Sequence, residues 1–272
     1  MPRAAAVQMS SGSDKRANLD RAESLVRVAA ERGAGLVVLP EVFDWRGARG
    51  AEGAVAESIP GPTSERLGAL ARELAIHLQA GSVTERIDGD RRCFNTALLF
   101  APSGEIVARY RKIHLFDVEI PGQVSTRESE TRRPGGDLVV ARTALGAIGL
   151  SVCYDLRFPE LYRRLVKAGA EILCIPSAFT FPTGAAHWEP LIRARAIENQ
   201  CYVVAPDQYG HSPSGHRDYG GSMIVDPWGA VVARASEGEA VIVAEIDLEY
   251  LRRVRQELPC LTHARLATSI DS

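Results

Sequence analysis

Short apolar runs alternate along the chain with longer segments in which apolar residues recur at helical spacing. Residues 3–9 and 36–39 are short apolar runs, and each predicts a strand; the second is apolar on both faces. Between them, residues 15–32 carry apolar side chains three and four positions apart, and Gly33 follows as a helix stop. Because strand and helix patterns keep alternating, helices are predicted to cover sheets in an α/β layered domain.

The rest of the chain follows the same two patterns, with one long interruption. Residues 113–137 are irregular, polar and rich in Pro, Gly and Ser, and neither flank reads as a self-sufficient domain. We therefore interpret this segment as a functional loop within one domain that spans residues 1–272, and not as a linker. Helices are predicted over residues 63–77, 159–168, 187–198 and 248–258, and strands over residues 78–83, 95–100, 106–110, 138–141, 147–153, 171–176, 201–205, 222–226, 231–235 and 240–246.

Composition narrows the classes of protein that fit this pattern. Apolar residues make up 46% of the 272 residues, and the formal net charge of −2 argues against nucleic-acid binding. No apolar run approaches the roughly 20 residues that span a bilayer, and the first residues do not read as a signal peptide. Five cysteines, an odd number without paired spacing, indicate reduced thiols. We therefore predict a cytoplasmic protein with no membrane partner.

One cysteine lies where a predicted strand gives way to a turn. Cys153 ends the strand predicted over residues 147–153, and Pro159 suits the first turn of the next helix. A thiol there is expected to face a helix N-terminus, whose dipole favours thiolate and whose N–H groups can hold an oxyanion. A buried structural cysteine is the alternative. The other cysteines are interpreted as structural or carry no functional signal: Cys93, Cys174, Cys201 and Cys260.

A glutamate and a lysine also close predicted strands. Glu41 follows an apolar strand, and apolar surroundings would raise the pKa of its carboxyl, which suits a general base for a thiol. An exposed strand-end glutamate is an equally good interpretation of Glu41 alone. Lys112 ends a basic run ahead of the long loop, where a fixed ammonium could stabilise an oxyanion. A solvated basic cluster is the alternative for Lys112.

The order Glu41, Lys112, Cys153, with its flanking residues, resembles the nitrilase (carbon–nitrogen hydrolase) superfamily. Three separated motifs in this order make the resemblance specific, and it covers nearly the whole chain. The matching stretches are residues 39–41 (LPE), 110–115 (YRKIHL), 153–160 (CYDLRFPE), 186–189 (AHWE), 193–204 (RARAIENQCYVV) and 222–229 (SMIVDPWG).

The resemblance implies a four-layer α-β-β-α sandwich that pairs into a homodimer or a higher homo-oligomer. It implies a Glu41–Lys112–Cys153 triad that forms a thioester acyl-enzyme, with no metal and no organic cofactor. Glu128 matches a second glutamate that supports catalysis in many members; an exposed loop glutamate is its alternative. The backbone N–H of Tyr154 would share the oxyanion with Lys112.

Within the superfamily, residues 117–123, followed by Glu128, are most similar to the deaminated-glutathione amidase and ω-amidase branch. This implies hydrolysis of small carboxylate-bearing ω-amides, such as deaminated glutathione or 2-oxoglutaramate, and a cation to bind the carboxylate. Arg157 is the candidate cation, against structural pairing with Asp155 or Glu160. Residues 205–210, and Gly221 where a histidine is usual, depart from the branch and bear on the substrate.

Other functions remain compatible with parts of the sequence. A nitrile or N-carbamoyl hydrolase would use the same triad. A Cys–His peptidase lacks a supporting signature, and a zinc site from His211, His216 and Asp218 would have loosely spaced ligands in a Gly/Ser/Pro loop. A binding protein that keeps the fold without catalysis is the alternative from another class.

Overall fold

The computed structural model describes residues 1–213 and 215–266. Its strands are β1 (Arg3–Gln8), β2 (Leu36–Val38), β3 (His77–Gln79), β4 (Val83–Arg86), β5 (Cys93–Phe100), β6 (Ile106–Arg111), β7 (Asp117–Ile120), β8 (Val124–Arg127), β9 (Val140–Thr143), β10 (Gly146–Leu150), β11 (Ile172–Cys174), β12 (Tyr202–Ala205), β13 (Tyr209–His211), β14 (Arg217–Tyr219), β15 (Met223–Val225), β16 (Val231–Arg234) and β17 (Ala240–Glu245). Its α-helices are α1 (Lys15–Glu31), α2 (Glu52–Val55), α3 (Pro62–Leu74), α4 (Pro159–Lys167), α5 (Phe181–Asn199), α6 (Leu248–Glu257) and α7 (Cys260–His263). Short 3-10 helices cover Glu128–Glu130 and Cys153–Arg157.

Two sheets carry most of these strands. The first has the order β17-β1-β2-β3-β5-β4, with β6 beside β5, and the second has the order β16-β15-β12-β11-β10-β9. Strands β1, β2 and β3 run parallel, as do β10, β11 and β12. The carboxyl ends of parallel strands meet at one edge of a sheet, which is where α/β folds gather functional side chains. Two hairpins, β7–β8 and β13–β14, lie outside both sheets.

The central strands are apolar throughout because both of their faces are buried. In β1, Ala4 and Ala6 belong to the core shared with the second sheet, whereas Ala5 and Val7 pack in the core beneath the helices of the first sheet. Since successive side chains point to opposite faces of a strand, one run supplies both cores. Helices α1 and α3 cover the first sheet, and α4 and α5 cover the second. The predicted α/β class, with its four-layer α-β-β-α sandwich, is confirmed by this arrangement.

Two predicted elements are wrong in detail. The strand predicted over residues 78–83 is two strands, β3 and β4, separated by a turn in which Gly81 has a φ of +42°. A Cβ at Gly81 would lie 1.9 Å from the Pro40 carbonyl oxygen, so this close approach requires glycine. The long loop predicted over residues 113–137 contains the β7–β8 hairpin and a 3-10 helix.

Other differences concern short elements and helix ends. Helix α5 begins at Phe181, six residues before its predicted start, with Pro182 in the first turn, where a missing N–H costs nothing. The β13–β14 hairpin and helices α2 and α7 were not predicted; each of these helices is only four residues long. Within the described residues, no helix is long and apolar enough to cross a bilayer.

Candidate active site

The predicted glutamate, lysine and cysteine come together where strands of the two sheets end. Glu41 follows β2 and Lys112 follows β6 in the first sheet, whereas Cys153 follows β10 in the second. The ammonium Nζ of Lys112 lies 2.9 Å from Oε1 of Glu41 and 2.9 Å from Oε2 of Glu128. All four side chains line one cavity of about 310 Å³. We call Glu41, Lys112, Glu128 and Cys153 the acid–lysine–thiol cluster.

Hydrogen bonds hold the Glu41 carboxylate in place from two sides. Asn95 Nδ2 donates to Glu41 Oε1 at 2.8 Å, and the backbone N–H of Ala178 donates to Oε2 at 3.0 Å. The same Asn95 amide lies 3.3 Å from Glu128 Oε1, so it bridges the two carboxylates. Asn95 was not identified from the sequence; its signal was a polar residue at the start of the strand predicted over residues 95–100.

Glu128 enters the site because the segment after Lys112 folds back on itself. The β7–β8 hairpin returns the chain to a 3-10 helix that begins at Glu128. Its Oε2 accepts a hydrogen bond from the backbone N–H of Phe116 at 2.8 Å as well as the bond from Lys112. The interpretation of Glu128 as an exposed loop residue therefore does not fit its position.

Ionisation in the cluster differs from what the sequence predicted. Burial alone would raise the pKa of Glu41, but the charge of Lys112, with hydrogen bonds from Lys112, Cys153 and Asn95, outweighs burial and lowers it. The predicted rise in the pKa of Glu41 is thus wrong. Burial, followed by the charge of Glu41, raises the pKa of Cys153 well above its ordinary value. The cluster therefore holds a carboxylate beside a protonated thiol, with Lys112 as the cation.

The turn that presents Cys153 is strained and is not the start of α4. Cys153 has a φ of +48° and begins the 3-10 helix Cys153–Arg157, six residues before Pro159 opens α4. The predicted strand to residue 153 ends at Leu150, and the predicted placement of the thiol at the N-terminus of α4 is wrong. A left-handed backbone at a non-glycine residue is costly and persists only where its surroundings enforce it.

The carboxylate of Asp155 is one of those surroundings. It accepts hydrogen bonds from the Tyr110 hydroxyl at 2.6 Å, from the Val152 N–H at 2.8 Å and from the His114 N–H at 3.0 Å, and it lies 2.7 Å from His114 Nδ1. Tyr110 lies on β6 of the first sheet, so Asp155 connects the turn around Cys153 to the strand that Lys112 follows. From the sequence, Asp155 was predicted only as an alternative partner for Arg157.

Arg157 lies beside Cys153 but outside the main cavity. Its guanidinium stacks over the Phe179 ring at 5.0 Å, and Nη1 lies 3.2 Å from His187 Nδ1. It shares a narrow crevice with Cys153 and Tyr154. Within the described part of the chain, Arg157 forms no salt bridge with Asp155 or Glu160. Its proposed role in binding a substrate carboxylate stays a prediction.

The two departures from the branch pattern have structural consequences near the site. Gln208, in the first of them, donates from Nε2 to the backbone carbonyl of Glu41 at 3.0 Å and accepts from the Ser11 N–H at 3.0 Å. Gly221 has a φ of +64°, and its carbonyl accepts a hydrogen bond from Trp188 Nε1 at 2.9 Å. Gln208 thus supports the backbone that carries the candidate base.

Part of the cavity wall comes from the β13–β14 hairpin. Asp218 on β14 forms a salt bridge with Arg46, and both side chains line the cavity, together with His216. Among the described residues, no group of three or more His, Cys, Asp and Glu side chains is arranged to hold a metal ion. The histidine–aspartate set considered for zinc therefore has no ligand geometry here.

Comparison with known proteins gives matches along nearly the full chain. The model of the carbon–nitrogen hydrolase family matches residues 3–256. The deaminated glutathione amidase of Mus musculus is 46% identical over 270 residues, which is 97% of this chain and 84% of that protein. Omega-amidase NIT2 of Xenopus tropicalis is 42% identical over 245 residues, which is 90% of this chain and 88% of that protein.

Solved structures give the same result for the fold. The crystal structure of the C. elegans NitFhit protein superposes with a TM-score of 0.93 at 42% sequence identity. The match covers 100% of this chain and 67% of that chain. The described part of the chain therefore shares the fold of that protein.

Proposed function

The chain belongs to the carbon–nitrogen hydrolase family and is a hydrolase of carbon–nitrogen bonds other than peptide bonds; we propose that the acid–lysine–thiol cluster performs this reaction. Cys153 is the nucleophile and Glu41 the general base. Lys112 and the backbone N–H of Tyr154 stabilise the oxyanion, and Glu128 holds Lys112 in position. The observation that carries this proposal is the Lys112 ammonium, 2.9 Å from each of two carboxylates and next to a buried thiol.

The proposed reaction consists of acylation of Cys153 and hydrolysis of the thioester, and Glu41 is the base in both steps. The Cys153 sulfur attacks the amide carbonyl while its proton moves to Glu41, which gives a tetrahedral oxyanion beside Lys112. Glu41 returns that proton to the amide nitrogen, and the C–N bond breaks. Ammonia departs, and the acyl group remains on Cys153 as a thioester. Glu41 then takes a proton from water, the resulting hydroxide attacks the thioester, and the acid is released as the thiol regains its proton.

The pKa order in the cluster favours proton transfer during attack over a preformed thiolate. The pKa of Cys153 is raised and that of Glu41 is lowered, so a thiolate beside a carboxylic acid is disfavoured at rest. As the sulfur bonds to carbon, the negative charge moves onto the substrate oxygen near Lys112, whose pKa is well above its ordinary value. A fixed cation at the point where charge develops lowers the barrier, because it needs no reorganisation.

The preferred substrate in this proposal is a small ω-amide that carries a carboxylate, such as deaminated glutathione or 2-oxoglutaramate. Relatives named deaminated glutathione amidase and omega-amidase support this choice, and the cavity of about 310 Å³ suits a small molecule. Arg157 is a candidate partner for a carboxylate from the crevice side. Nitriles and N-carbamoyl compounds are the alternative substrates of the same cluster.

An ammonia-release panel tests the substrate class. 2-Oxoglutaramate, deaminated glutathione, butyramide, butyronitrile and an N-carbamoyl amino acid are compared by kcat/KM; because deaminated glutathione releases an amine in place of ammonia, its acid product is measured. We expect the carboxylate-bearing ω-amides to give the highest values. A higher value for the nitrile or for butyramide would contradict the substrate proposal and leave the roles of Glu41, Lys112 and Cys153 intact.

We also propose that the protein is a cytoplasmic homodimer or larger homo-oligomer. The half-exposed apolar side chains of Ile197 and Trp228 support association, and five free cysteines support a reducing compartment. Light scattering of the purified protein tests the oligomeric state, and a monomer at micromolar concentration would contradict it.

A further inference from the structure

The cavity carries an excess of positive charge beyond the acid–lysine–thiol cluster. Its described lining includes four arginines outside the cluster and two further carboxylates, Glu52 and Asp218. Within the cluster, the single charge of Lys112 already faces both Glu41 and Glu128. The rest of the cavity therefore favours an anionic group on a bound molecule. The four arginines are Arg46, Arg49, Arg127 and Arg132.

Three of these arginines are poorly suited to recognise an anion inside the cavity. The Arg49 and Arg127 side chains are exposed, where water and salt weaken ion pairing. Arg132 is buried, but Nη2 donates to Thr84 Oγ1 at 3.1 Å, which turns its guanidinium toward strand β4. Arg46 differs from Arg49 and Arg127 because its side chain is only 11% exposed. It differs from Arg132 because its guanidinium pairs with Asp218, which also lines the cavity.

Arg46 is held by one carboxylate in a two-pronged pair. Its Nη1 and Nη2 both donate to Asp218, the second to Oδ1 at 3.2 Å, and its backbone N–H donates to the Gly12 carbonyl at 2.9 Å. A guanidinium has five N–H donors, and this pair uses two of them. The remaining donors allow Arg46 to bind a second carboxylate while Asp218 fixes its orientation.

We propose that Arg46, oriented by Asp218, is a specificity-determining residue that binds the substrate's carboxylate while the amide lies against Cys153. The inference rests on the proposed function and assigns the carboxylate to the main cavity, not to the crevice of Arg157. The sequence supports the placement, because Arg46 follows Glu41 by five residues in the loop that leaves β2. Base and anion-binding group thus lie on one short segment, which fixes the distance between amide and carboxylate.

A matched pair of substrates isolates this contribution. Succinamate and butyramide share the amide and the chain length, and differ in whether the far end is a carboxylate or a methyl group. The readout is the kcat/KM for succinamate divided by the kcat/KM for butyramide. Arg46→Met should lower this ratio by about 10- to 100-fold, the scale of a lost charge-assisted pair. Arg46→Lys, which keeps the charge but loses the planar fork, should lower it less.

Two further variants keep the result interpretable. Arg46→Met leaves Asp218 without its partner, but burial already raises the pKa of Asp218, so the carboxyl can be protonated and the fold kept. The double variant Arg46→Met/Asp218→Asn removes both charges and should show the same fall in ratio. Arg109→Met is the matched control, because Arg109 also pairs with a buried carboxylate, Glu85, which retains Arg111.

The outcomes separate this inference from the proposed function. A ratio unchanged in Arg46→Met, or lowered only in Arg157→Met, would overturn the role of Arg46 while amide hydrolysis stands. An equal fall for both substrates would make Arg46 a structural residue and would also overturn it. Failure of the wild-type protein to hydrolyse either amide would instead contradict the proposed function. A fall in the ratio with Arg46→Met but not with Arg109→Met supports the inference.

Discussion

Two groups of ion-paired side chains line the same cavity, and they differ in charge balance. In the acid–lysine–thiol cluster, Lys112 contacts two carboxylates, Glu41 and Glu128, each at 2.9 Å, beside a thiol with a raised pKa. In the second pair, Arg46 contacts one carboxylate, Asp218, through two nitrogen atoms. The cluster has one cation for two carboxylates, whereas the Arg46–Asp218 pair has one cation for one carboxylate.

In our proposals, this difference in charge balance assigns amide hydrolysis to the acid–lysine–thiol cluster and substrate discrimination to Arg46. A cluster with excess carboxylate can accept a proton from the thiol, and its cation remains to meet a developing oxyanion. The Arg46–Asp218 pair leaves no charge unpaired in the free protein, and the spare N–H donors of Arg46 can bind an anionic group. Changes in the cluster should therefore affect all amides equally, whereas changes at Arg46 should affect only the discrimination between them.

The largest effect is expected from the nucleophile. Cys153→Ala and Cys153→Ser should each lower kcat by at least about 10⁴-fold for succinamate and butyramide alike, since no other group forms the thioester. Ammonia release by the purified variants, with circular dichroism to verify the fold, provides the measurement. Near-normal turnover in either folded variant would remove Cys153 from the mechanism.

Removal of the cation should come next. Lys112→Ala should lower kcat by about 10²- to 10³-fold or more, with a smaller change in KM, as for loss of an oxyanion donor. Thermal or urea unfolding should also show a loss of about 3–5 kcal/mol in the free energy of unfolding, because Glu41 and Glu128 would lose the cation that they share. An effect confined to KM would make Lys112 a substrate anchor, and the contrast with Arg46 would fail.

A milder change is expected at the second carboxylate. Glu128→Gln keeps acceptors for Lys112 and the Phe116 N–H but removes the charge, so kcat should fall about 10-fold, equivalent to about 1.4 kcal/mol. The succinamate-to-butyramide ratio should stay constant. A change in that ratio would place Glu128 in substrate selection and would weaken the separation of the two pairs.

The smallest effect is the position of the acidic limb of the pH profile. The proposed mechanism requires Glu41 as a carboxylate, and Lys112 holds the pKa of Glu41 below the ordinary 4.5, so kcat/KM should fall only below about that pH. Because the pKa of Glu41 is lower in the folded than in the unfolded protein, Glu41 stabilises the fold at every pH above its unfolded-state pKa. This stabilisation is lost as the pH falls through the folded-state pKa. An acidic limb near pH 6 in a folded protein would indicate a base with a raised pKa and would contradict the cluster's ionisation.

Local rules predicted an α/β layered domain and the strand-end positions of Glu41, Lys112 and Cys153, whereas the four-layer sandwich and the triad followed from the family resemblance. Apolar runs such as residues 36–39 identify strands buried on both faces, and side chains that end such strands meet at one sheet edge. Glu41, Lys112 and Cys153 were found in this way and are brought together in the structure. Glu128 was identified through the resemblance, since nothing in its own segment marks it as buried.

The remainder depends on contacts between segments that are far apart in sequence. The predicted direction of the pKa shift of Glu41 was wrong because the partner that lowers this pKa, Lys112, lies 71 residues away in the sequence. Arg46 and Asp218 are separated by 172 residues, and each lies in a stretch without helix or strand periodicity. Asn95 and Asp155 were missed as site residues for the same reason, since most of their partners lie in segments distant in sequence.

The most direct test of the account is the identity of the acylated residue during turnover. The wild-type protein is mixed with succinamate, quenched in acid, digested and analysed by mass spectrometry. The account predicts a succinyl group on Cys153, absent in Cys153→Ala and in samples mixed with succinate. A succinyl group on any other residue, or undiminished ammonia release by Cys153→Ala, would contradict it.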